Sequence, residues 1–354
     1  MPNPVRTPQI RRNLLRGAAI AATLCAAAAL TSGIAAVAGT GSSTAGPVTA
    51  AATYNTFKGV TYVTNGNAQQ NLDLYVPAGA TQPLPLIVYV HGGGWSGGSS
   101  AELQGLSGWQ TFLSQGFAVA SLNYTLSGTA KFPQQIFDVK AALRFLRANS
   151  GKYRLSGKIG IWGGSAGGQL ASLAGTSCGV ASLEGNEGVT GVSSCVQATV
   201  DFVGPTDFLQ MDAHLLNDSA IKHNPPSSAE SQYLGCTNGL SACPVATVER
   251  ANPITYVKPG AQLPPFLIAH GDADTFVPHH QSELLFNSLK GACGDVTFYT
   301  LNGQNHMFSF TGALDPPYPT EVKQSAQGCK PVTTAGGPPL NWSIIAAFFA
   351  ANLR

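Results

Sequence analysis

A serine that could act as a nucleophile stands in a glycine-rich string. Residues 163–167 have the sequence Gly-Gly-Ser-Ala-Gly, which places Ser165 in a Gly-x-Ser-x-Gly motif. The motif directly follows the apolar run 159–162 and opens the helical run 169–174. A sharp turn from strand to helix leaves little room for flanking side chains and exposes the serine hydroxyl above a sheet. The alternative is a glycine-rich loop that carries an ordinary serine.

A second glycine-rich segment follows another apolar run. Residues 91–95 have the sequence His-Gly-Gly-Gly-Trp and come directly after residues 86–90. Backbone N–H groups that no side chain obstructs can converge there on a developing oxyanion. This is an oxyanion loop of the HGGG type, and it makes an ordinary serine at position 165 a weaker interpretation.

With both motifs in this order, the chain resembles the hormone-sensitive-lipase-like and feruloyl-esterase-like branches of the α/β-hydrolase fold, from about Tyr54 to the C-terminus. The resemblance implies that the oxyanion donors are the N–H groups of Gly93, Gly94 and Ala166. It also implies that His91 is structural.

Local sequence distinguishes the two branches. Gly164 stands where many hormone-sensitive-lipase relatives carry an acidic residue, as is usual in the feruloyl-esterase-like branch. Residues 124–128, Tyr-Thr-Leu-Ser-Gly, and the pair 132–133, Phe-Pro, also resemble that branch.

The resemblance also identifies the acid of a catalytic triad. Residues 270–278 resemble the family's His-Gly-x-x-Asp-x-x-Val-Pro turn, which assigns the acid to Asp274. Asp272 is the alternative, although an aspartate there also suits a turn residue that bonds nearby backbone N–H groups. His270 is expected to be a strand-end residue.

The base must lie downstream of the acid, because the fold's chain order is Ser, Asp, His. His279, His280 and His306 satisfy this order. His306 follows the apolar run 296–301 in a loop, where the fold carries its catalytic histidine. The other two begin a helix after Pro278 and suit solvated surface positions. A triad of Ser165, Asp274 and His306 would need no metal and no organic cofactor.

Three residues next to these positions are candidates for substrate binding: Trp95, Phe276 and Met307, each of which would also suit the core. Apolar groups there favour an ester with an apolar or aromatic acyl group, as in carboxylesterases, feruloyl or acetyl-xylan esterases and polyesterases. A peptidase of the prolyl-oligopeptidase type is disfavoured, since the chain has no room for a propeller domain. A non-catalytic binding module is disfavoured because the triad and the oxyanion glycines are all present.

The elements that must position these residues alternate along the chain. Strands are expected at residues 61–63, 72–76, 86–90, 118–122, 159–162, 198–203, 266–270 and 296–301, and helices after Pro133 and at 281–289 and 342–353. This pattern predicts an α/β fold with about eight strands in a mostly parallel sheet and helices on both faces. Residues 207–264, rich in Pro, Asn, Ser and Gly, are predicted to be an insertion or a small cap over the sheet edge.

The N-terminus is typical of an export signal. Four arginines precede an Ala-rich apolar run from Gly17, and Arg11 and Arg12 followed by Asn-Leu-Leu-Arg resemble a twin-arginine signal. Cleavage is expected after residue 38 or as late as residue 50, which makes 39–53 a linker and 54–354 the catalytic domain. A retained membrane anchor is the alternative, disfavoured because alanine inserts poorly. The prediction is a secreted, extracellular protein without a stable membrane anchor.

Charge and cysteine content agree with export. The 19 Lys and Arg residues less the four signal arginines leave 15 against 17 Asp and Glu, with no basic patch for nucleic acid. Besides Cys25, the chain has six cysteines, an even number that favours disulfides in an exported protein. Sequence proximity suggests the pairs Cys178 with Cys195, Cys236 with Cys243, and Cys293 with Cys329. The sequence indicates no partner beyond an ester substrate and no oligomeric state.

Overall fold

The computed structural model describes residues 53–314, 320–325, 329–331, 333–336 and 339–354 of the chain. The predicted export signal, residues 1–38, lies outside the described residues, as does the predicted linker 39–53 except for residue 53. The signal, its cleavage sites and the domain boundary therefore stay predictions.

One sheet forms the centre of the fold. Its strands are β1 (Tyr54–Thr61), β2 (Asn71–Pro77), β3 (Leu84–Val90), β4 (Ala118–Leu122), β5 (Leu155–Gly164), β6 (Ala198–Phe202), β7 (Phe266–Gly271), β8 (Val296–Leu301), β9 (Thr320–Ser325) and β10 (Thr333–Gly336). Their order across the sheet is β1-β2-β4-β3-β5-β6-β7-β8-β9-β10. The six strands from β4 to β8 in this order are parallel, and the outer strands on either side are antiparallel.

The central strands are apolar because both faces of the sheet are covered. Along β3, Leu86 and Val88 belong to the core on one face, whereas Ile87 and Tyr89 belong to the core on the other. Helices pack on both faces, and their bounds are α1 (Gln110–Ser114), α2 (Gln134–Ala148), α3 (Ala166–Thr176), α4 (Ala229–Leu234), α5 (Val245–Ala251), α6 (His280–Gly291), α7 (Phe308–Thr311) and α8 (Trp342–Leu353). The predicted α/β-hydrolase sheet with helices on both faces is thereby confirmed.

The strands at the sheet edges differ from the prediction. The first strand was expected at residues 61–63 but is β1, Tyr54–Thr61, whose residues are nearly all exposed. The buried pair Tyr62 and Val63 lies just after it. Beyond the eight expected strands, β9 and β10 add an antiparallel hairpin to β8. These edge segments have no continuous apolar run, so a hydrophobic pattern does not reveal them.

The parallel arrangement brings four loops together at the carboxyl ends of the strands. The glycine-rich loop follows β3, Ser165 follows β5, Asp274 follows β7, and His306 follows β8. Because these four strands are parallel, their carboxyl ends lie on the same side of the molecule. Open α/β sheets carry their ligand sites at these strand ends.

The predicted insertion, residues 207–264, is fully described and contains no strand. It consists of α4, α5 and short 3-10 turns, of which the one at Asp212–His214 bears on the site. The side chain of Gln169 in α3 donates a hydrogen bond to the carbonyl of Ala251 at 2.7 Å. Gln281 in α6 accepts hydrogen bonds from the backbone of Thr206 and Asp207. The insertion is therefore hydrogen-bonded to α6 where it begins and to α3 through the last residue of α5.

The three predicted disulfides are confirmed. They join Cys178 to Cys195, Cys236 to Cys243 and Cys293 to Cys329. Each bond joins cysteines that are neighbours among the six in sequence, at separations of 17, 7 and 36 residues. No helix in the described part of the chain combines the length and hydrophobicity that crossing a membrane requires.

We expect denatured, unreduced protein to react with at most one equivalent of thiol reagent per chain, that of Cys25 where the N-terminus is retained. Reduction should lower the free energy of unfolding, because the bonds close loops of up to 36 residues in the unfolded chain. In the chain-entropy description that loop alone contributes about 4 kcal/mol. Thiol titration and thermal melting with and without reductant measure both effects, and two or more free thiols among the other six cysteines would contradict the three bonds.

Candidate active site

Ser165 occupies a strained turn between β5 and α3. Its backbone has φ 57° and ψ −124°, a conformation that residues with side chains rarely adopt. A Cβ atom on Gly163 would lie 2.4 Å from the carbonyl oxygen of Gly167, and one on Gly167 would lie 2.1 Å from that of Val90. Only glycine fits at either position. The two glycines thus allow β5 and α3 to meet at the angle that lifts Ser165 out of the sheet.

The loop after β3 presents unused backbone donors beside this turn. Gly93 and Gly94 have φ of 94° and 57°, in the region that favours glycine. Among the described residues, the N–H groups of Gly93, Gly94 and Ala166 donate no hydrogen bond. Backbone N–H groups without a protein acceptor are available to an oxyanion.

His91 supports this loop from inside. It is buried and stacks on the ring of Tyr124, with centroids 4.3 Å apart, and its Nδ1–H donates to the carbonyl of Gly92 at 2.9 Å. Burial lowers the pKa of His91 to about 4, so the ring is neutral at physiological pH. These contacts agree with the structural role expected for it.

Trp95 joins the glycine loop to two helices. Its Nε1–H donates to Oε1 of Gln169 in α3 at 2.9 Å, and its ring stacks on Tyr233 in α4 with centroids 4.3 Å apart. The side chain is 1% exposed, so it lies in the interior. The predicted contact between Trp95 and substrate stays a prediction, whereas its hold on the loop is a feature of the structure.

The Asp274 carboxylate is surrounded by four N–H donors. Oδ1 accepts from the backbone of Phe276 at 2.8 Å and of Val277 at 2.9 Å. Oδ2 accepts from Nδ1 of His306 at 2.7 Å and lies 3.3 Å from Nε2 of His270. Burial alone would raise the pKa of Asp274, but the hydrogen bonds from His270 and His306 lower it below its ordinary value. The carboxylate is therefore ionised at neutral pH.

The loop that carries the acid and the loop that carries His306 are bonded to each other. The N–H of Ala273 donates to the carbonyl of Gln304 at 3.0 Å, and the N–H of Gly303 donates to Oδ1 of Asp272 at 2.6 Å. Asp272 thus bonds a backbone N–H, as the turn interpretation expects. These bonds hold Asp274 and His306 in register at the ends of β7 and β8.

His306 is hydrogen-bonded to Asp274, and its loop also contacts the serine turn. Because the carboxylate accepts, Nδ1 carries the proton and Nε2 presents its lone pair. Ser309, whose Oγ–H donates to the carbonyl of His306 at 2.8 Å, lies against Gly164, where an added Cβ would be 2.9 Å from the Cβ of Ser309. The His306 loop is thus in contact with the residue before Ser165. No hydrogen bond joins the Ser165 hydroxyl to His306 among the described residues.

Two of the candidate substrate-binding residues lie at the surface. Phe276 is 45% exposed, and its ring is nearly parallel to that of His306, with centroids 5.3 Å apart. Met307 is 49% exposed and directly follows His306. These two exposed apolar side chains, one stacked on His306 and one adjacent to it in sequence, are together called the apolar rim.

The other histidines near the end of β7 have structural partners. His270 ends β7 as expected, but it is fully buried, with Nδ1 2.7 Å from Oγ of Ser282 and Nε2 3.0 Å from the carbonyl of Val277. His279 and His280 lie at the start of α6 and are half-buried rather than fully solvated. The Nε2 atom of His279 lies 3.0 Å from Oγ1 of Thr300.

Two contacts near Asp274 were missed by sequence reasoning. His270 had a usable signal, because it lies four residues before Asp274 within the quoted motif and a tight turn brings such residues together. His223 of the insertion had none. Its Nε2 lies 3.0 Å from the carbonyl of Phe276, 53 positions away in the chain, and its surroundings contain no motif.

The sequence matches the family described as BD-FAE over residues 72–289, which includes the glycine loop, Ser165 and Asp274. The chain belongs to the BD-FAE family.

Solved structures and curated relatives of this BD-FAE protein agree with that assignment. A truncated carbohydrate esterase from gut microbiota is 32% identical, with a TM-score of 0.65, over 74% of this chain and 92% of the other. Esterase B from Lactobacillus rhamnosis is 25% identical, with a TM-score of 0.60, over 74% and 81%. Esterase LipQ from Mycobacterium tuberculosis is 28% identical over 65% of this chain and 52% of its own. The chain thus spans about half the length of the curated relatives it matches.

Substitution of each aspartate by asparagine tests which of the two is the acid of the triad. Asp274→Asn should reduce turnover on the order of 1,000-fold or more, because an amide offers N–H where His306 needs an acceptor and stabilises the wrong imidazole tautomer. Asp272→Asn keeps an oxygen for the N–H of Gly303 and should stay within about tenfold of the parent. Turnover of both purified variants on one short-chain ester near pH 8 decides the matter. A large loss at 272 with little at 274 would overturn the assignment.

Proposed function

We propose that this BD-FAE protein is an exported serine carboxylic ester hydrolase that works through an acyl-enzyme intermediate. The observation that carries the proposal is the 2.7 Å hydrogen bond from His306 to Asp274, made by a loop that packs against the strained turn of Ser165. This bond fixes the imidazole tautomer whose Nε2 can accept a proton. The esterases among its relatives support the same reaction class.

In the proposed reaction Ser165 Oγ attacks the ester carbonyl carbon while Nε2 of His306 takes the hydroxyl proton. The tetrahedral intermediate collapses as His306 returns this proton to the leaving alcohol, which leaves an ester on Ser165. Water, deprotonated by the same nitrogen, then releases the acid and restores the serine. The ionised Asp274 stabilises the imidazolium formed in each half of the reaction.

The negative charge of the tetrahedral intermediate would be met by the N–H groups of Gly93, Gly94 and Ala166. They make no other hydrogen bond in the described part of the chain, so an oxyanion would not have to displace a protein acceptor. Preformed donors need no reorganisation during the reaction, and loss of one typically costs on the order of 100-fold to 1,000-fold in turnover.

The rim around His306 favours an ester with an apolar or aromatic group. Phe276, which stacks on the His306 ring, and Met307, the next residue after His306, are exposed apolar side chains, and a planar group could stack on Phe276. Feruloyl, acetyl and polyester substrates remain the candidate classes. The gut relative's description as a carbohydrate esterase supports the inclusion of acetylated or feruloylated sugars among them.

Extracellular action is part of the proposal. The three disulfides lie in the part of the chain that the structure describes and suit an oxidising compartment. The arginine-rich N-terminal segment supports passage across a membrane.

Ser165→Ala should abolish hydrolysis, with a loss on the order of 1,000-fold or more, because the nucleophile is removed while the turn keeps its shape. A fluorophosphonate probe should add once to the parent and not to the variant, as measured by mass spectrometry. A panel of chromogenic acyl esters, feruloyl and acetylated-sugar esters and an aminoacyl anilide, assayed in parallel, assigns the substrate class.

Ser114→Ala is the matched control, since it removes one exposed hydroxyl at the end of α1 and should leave turnover unchanged. Substantial hydrolysis by purified Ser165→Ala would refute the nucleophile. Cleavage of the anilide in preference to every ester would refute the ester hydrolase.

A further inference from the structure

The insertion contains a buried ion pair that the proposed reaction does not use. His223 and Glu230 are each only 5% exposed at their side chains, and Nδ1 of His223 lies 2.9 Å from Oε1 of Glu230. The other oxygen of this carboxylate, Oε2, is buried without a hydrogen-bond partner among the described residues. A buried carboxylate with so few partners depends on a cation beside it.

Both nitrogens of His223 face acceptors. Nδ1 faces the carboxylate of Glu230, and Nε2 faces the carbonyl of Phe276 at 3.0 Å. A carbonyl oxygen cannot donate, and an ionised carboxylate cannot either. A neutral imidazole has one N–H and would place a lone pair against one of these oxygens. Beside an ionised Glu230, only the doubly protonated ring satisfies both contacts.

The carbonyl that His223 holds belongs to a residue with two contacts in the site. The N–H of Phe276 donates to Asp274, and its ring lies parallel to that of His306. The preceding carbonyl, of Thr275, accepts from Oγ of Ser219 at 2.7 Å. Two side chains of the insertion therefore fasten two consecutive carbonyls of the acid loop.

We infer that His223, held as an imidazolium by Glu230, is a positioning residue that fixes Phe276 and through it the orientation of Asp274 and His306. The insertion is then a brace for the acid loop. The inference rests on the proposed function, because its consequence for turnover presupposes that Asp274 and His306 act as a pair.

Charge in the surroundings supports the doubly protonated ring. Burial alone would lower the pKa of His223, but the hydrogen bond and charge of Glu230, with the charge of Asp212, raise it above the ordinary value. Asp212, in the turn before His223, also accepts the backbone N–H of His223 at 2.7 Å. Glu230 on α4, Asp212 and the Phe276 carbonyl are the groups that face it.

The raised pKa of His223 determines how the stability of the fold depends on pH. Because the pKa is higher in the folded protein, the pair stabilises the fold fully below the ordinary histidine pKa. Its contribution is lost as pH rises through the raised value. The hold of His223 on the carbonyl of Phe276 should weaken over the same pH interval.

The pH dependence of kcat/KM for a short-chain ester tests the brace. In the parent, kcat/KM should fall about fivefold at alkaline pH as His223 is deprotonated, the equivalent of one lost hydrogen bond. In Glu230→Gln the amide can donate to Nδ1 of a neutral ring whose Nε2–H still bonds Phe276. That variant should therefore keep its activity without the alkaline fall.

His223→Phe removes both bonds and should lower kcat/KM about tenfold, mainly through kcat, at pH values below the alkaline fall of the parent, and it should show no alkaline fall of its own. The matched control is His214→Phe, which replaces an exposed histidine of the same insertion and keeps an aromatic ring against His280. Its profile should match the parent. Melting temperatures of all variants show whether each is folded.

Two results would overturn the inference: an alkaline fall in Glu230→Gln equal to that of the parent, or a single protonated nitrogen on His223 near pH 6.5. The second is read from nitrogen-15 spectra of histidine-labelled protein, with His223 assigned by its absence in His223→Phe. This measurement needs no activity. A parent that hydrolyses no ester would refute the proposed function alone, and the spectra would still decide the charge of His223.

Discussion

The carboxylate of Asp274 is an anion in the interior of the protein, and water contributes almost nothing to its stability. Burial of such a group is costly unless hydrogen-bond donors replace its hydration. Here two backbone N–H groups point at one oxygen and two imidazole rings approach the other. The rest of the site depends on this constraint, because each donor reaches the carboxylate only if the loop that carries it is held in place.

The fold supplies these restraints from separate parts of the chain. The pairing of β7 with β8 brings the acid loop beside the His306 loop, and backbone bonds between the loops fix their relative height. Ser282 in α6 is hydrogen-bonded to Nδ1 of His270. The insertion holds the outer side through Ser219 and His223. The insertion, which follows β6 in sequence, thus helps to hold the acid loop, which follows β7.

Much of this arrangement could be predicted from the sequence, and the remainder has a physical explanation. Apolar runs predict the central strands, because both faces of the sheet are covered. Helical periodicity predicts the long helices. Ser165, the glycine loop and Asp274 lie in motifs whose spacing a turn requires. The edge strands β1, β9 and β10 depend on backbone hydrogen bonds and leave no such pattern. His223 could not be found, since its partners are a carbonyl and a carboxylate that only the folded insertion brings together.

The Ser165 turn has a consequence for any attempt to make this protein more robust. Ser165 and Trp95 both carry side chains at a φ of 57°, where glycine alone is at ease. A left-handed conformation of this kind costs a residue with a Cβ about 1 kcal/mol or more. Glycine at either position would relieve that cost, but at 165 it would delete the hydroxyl and at 95 the indole that ties the glycine loop to α3 and α4. A screen that rewards heat resistance alone would therefore select against the geometry on which the proposed chemistry depends, and it should be paired with a selection for turnover.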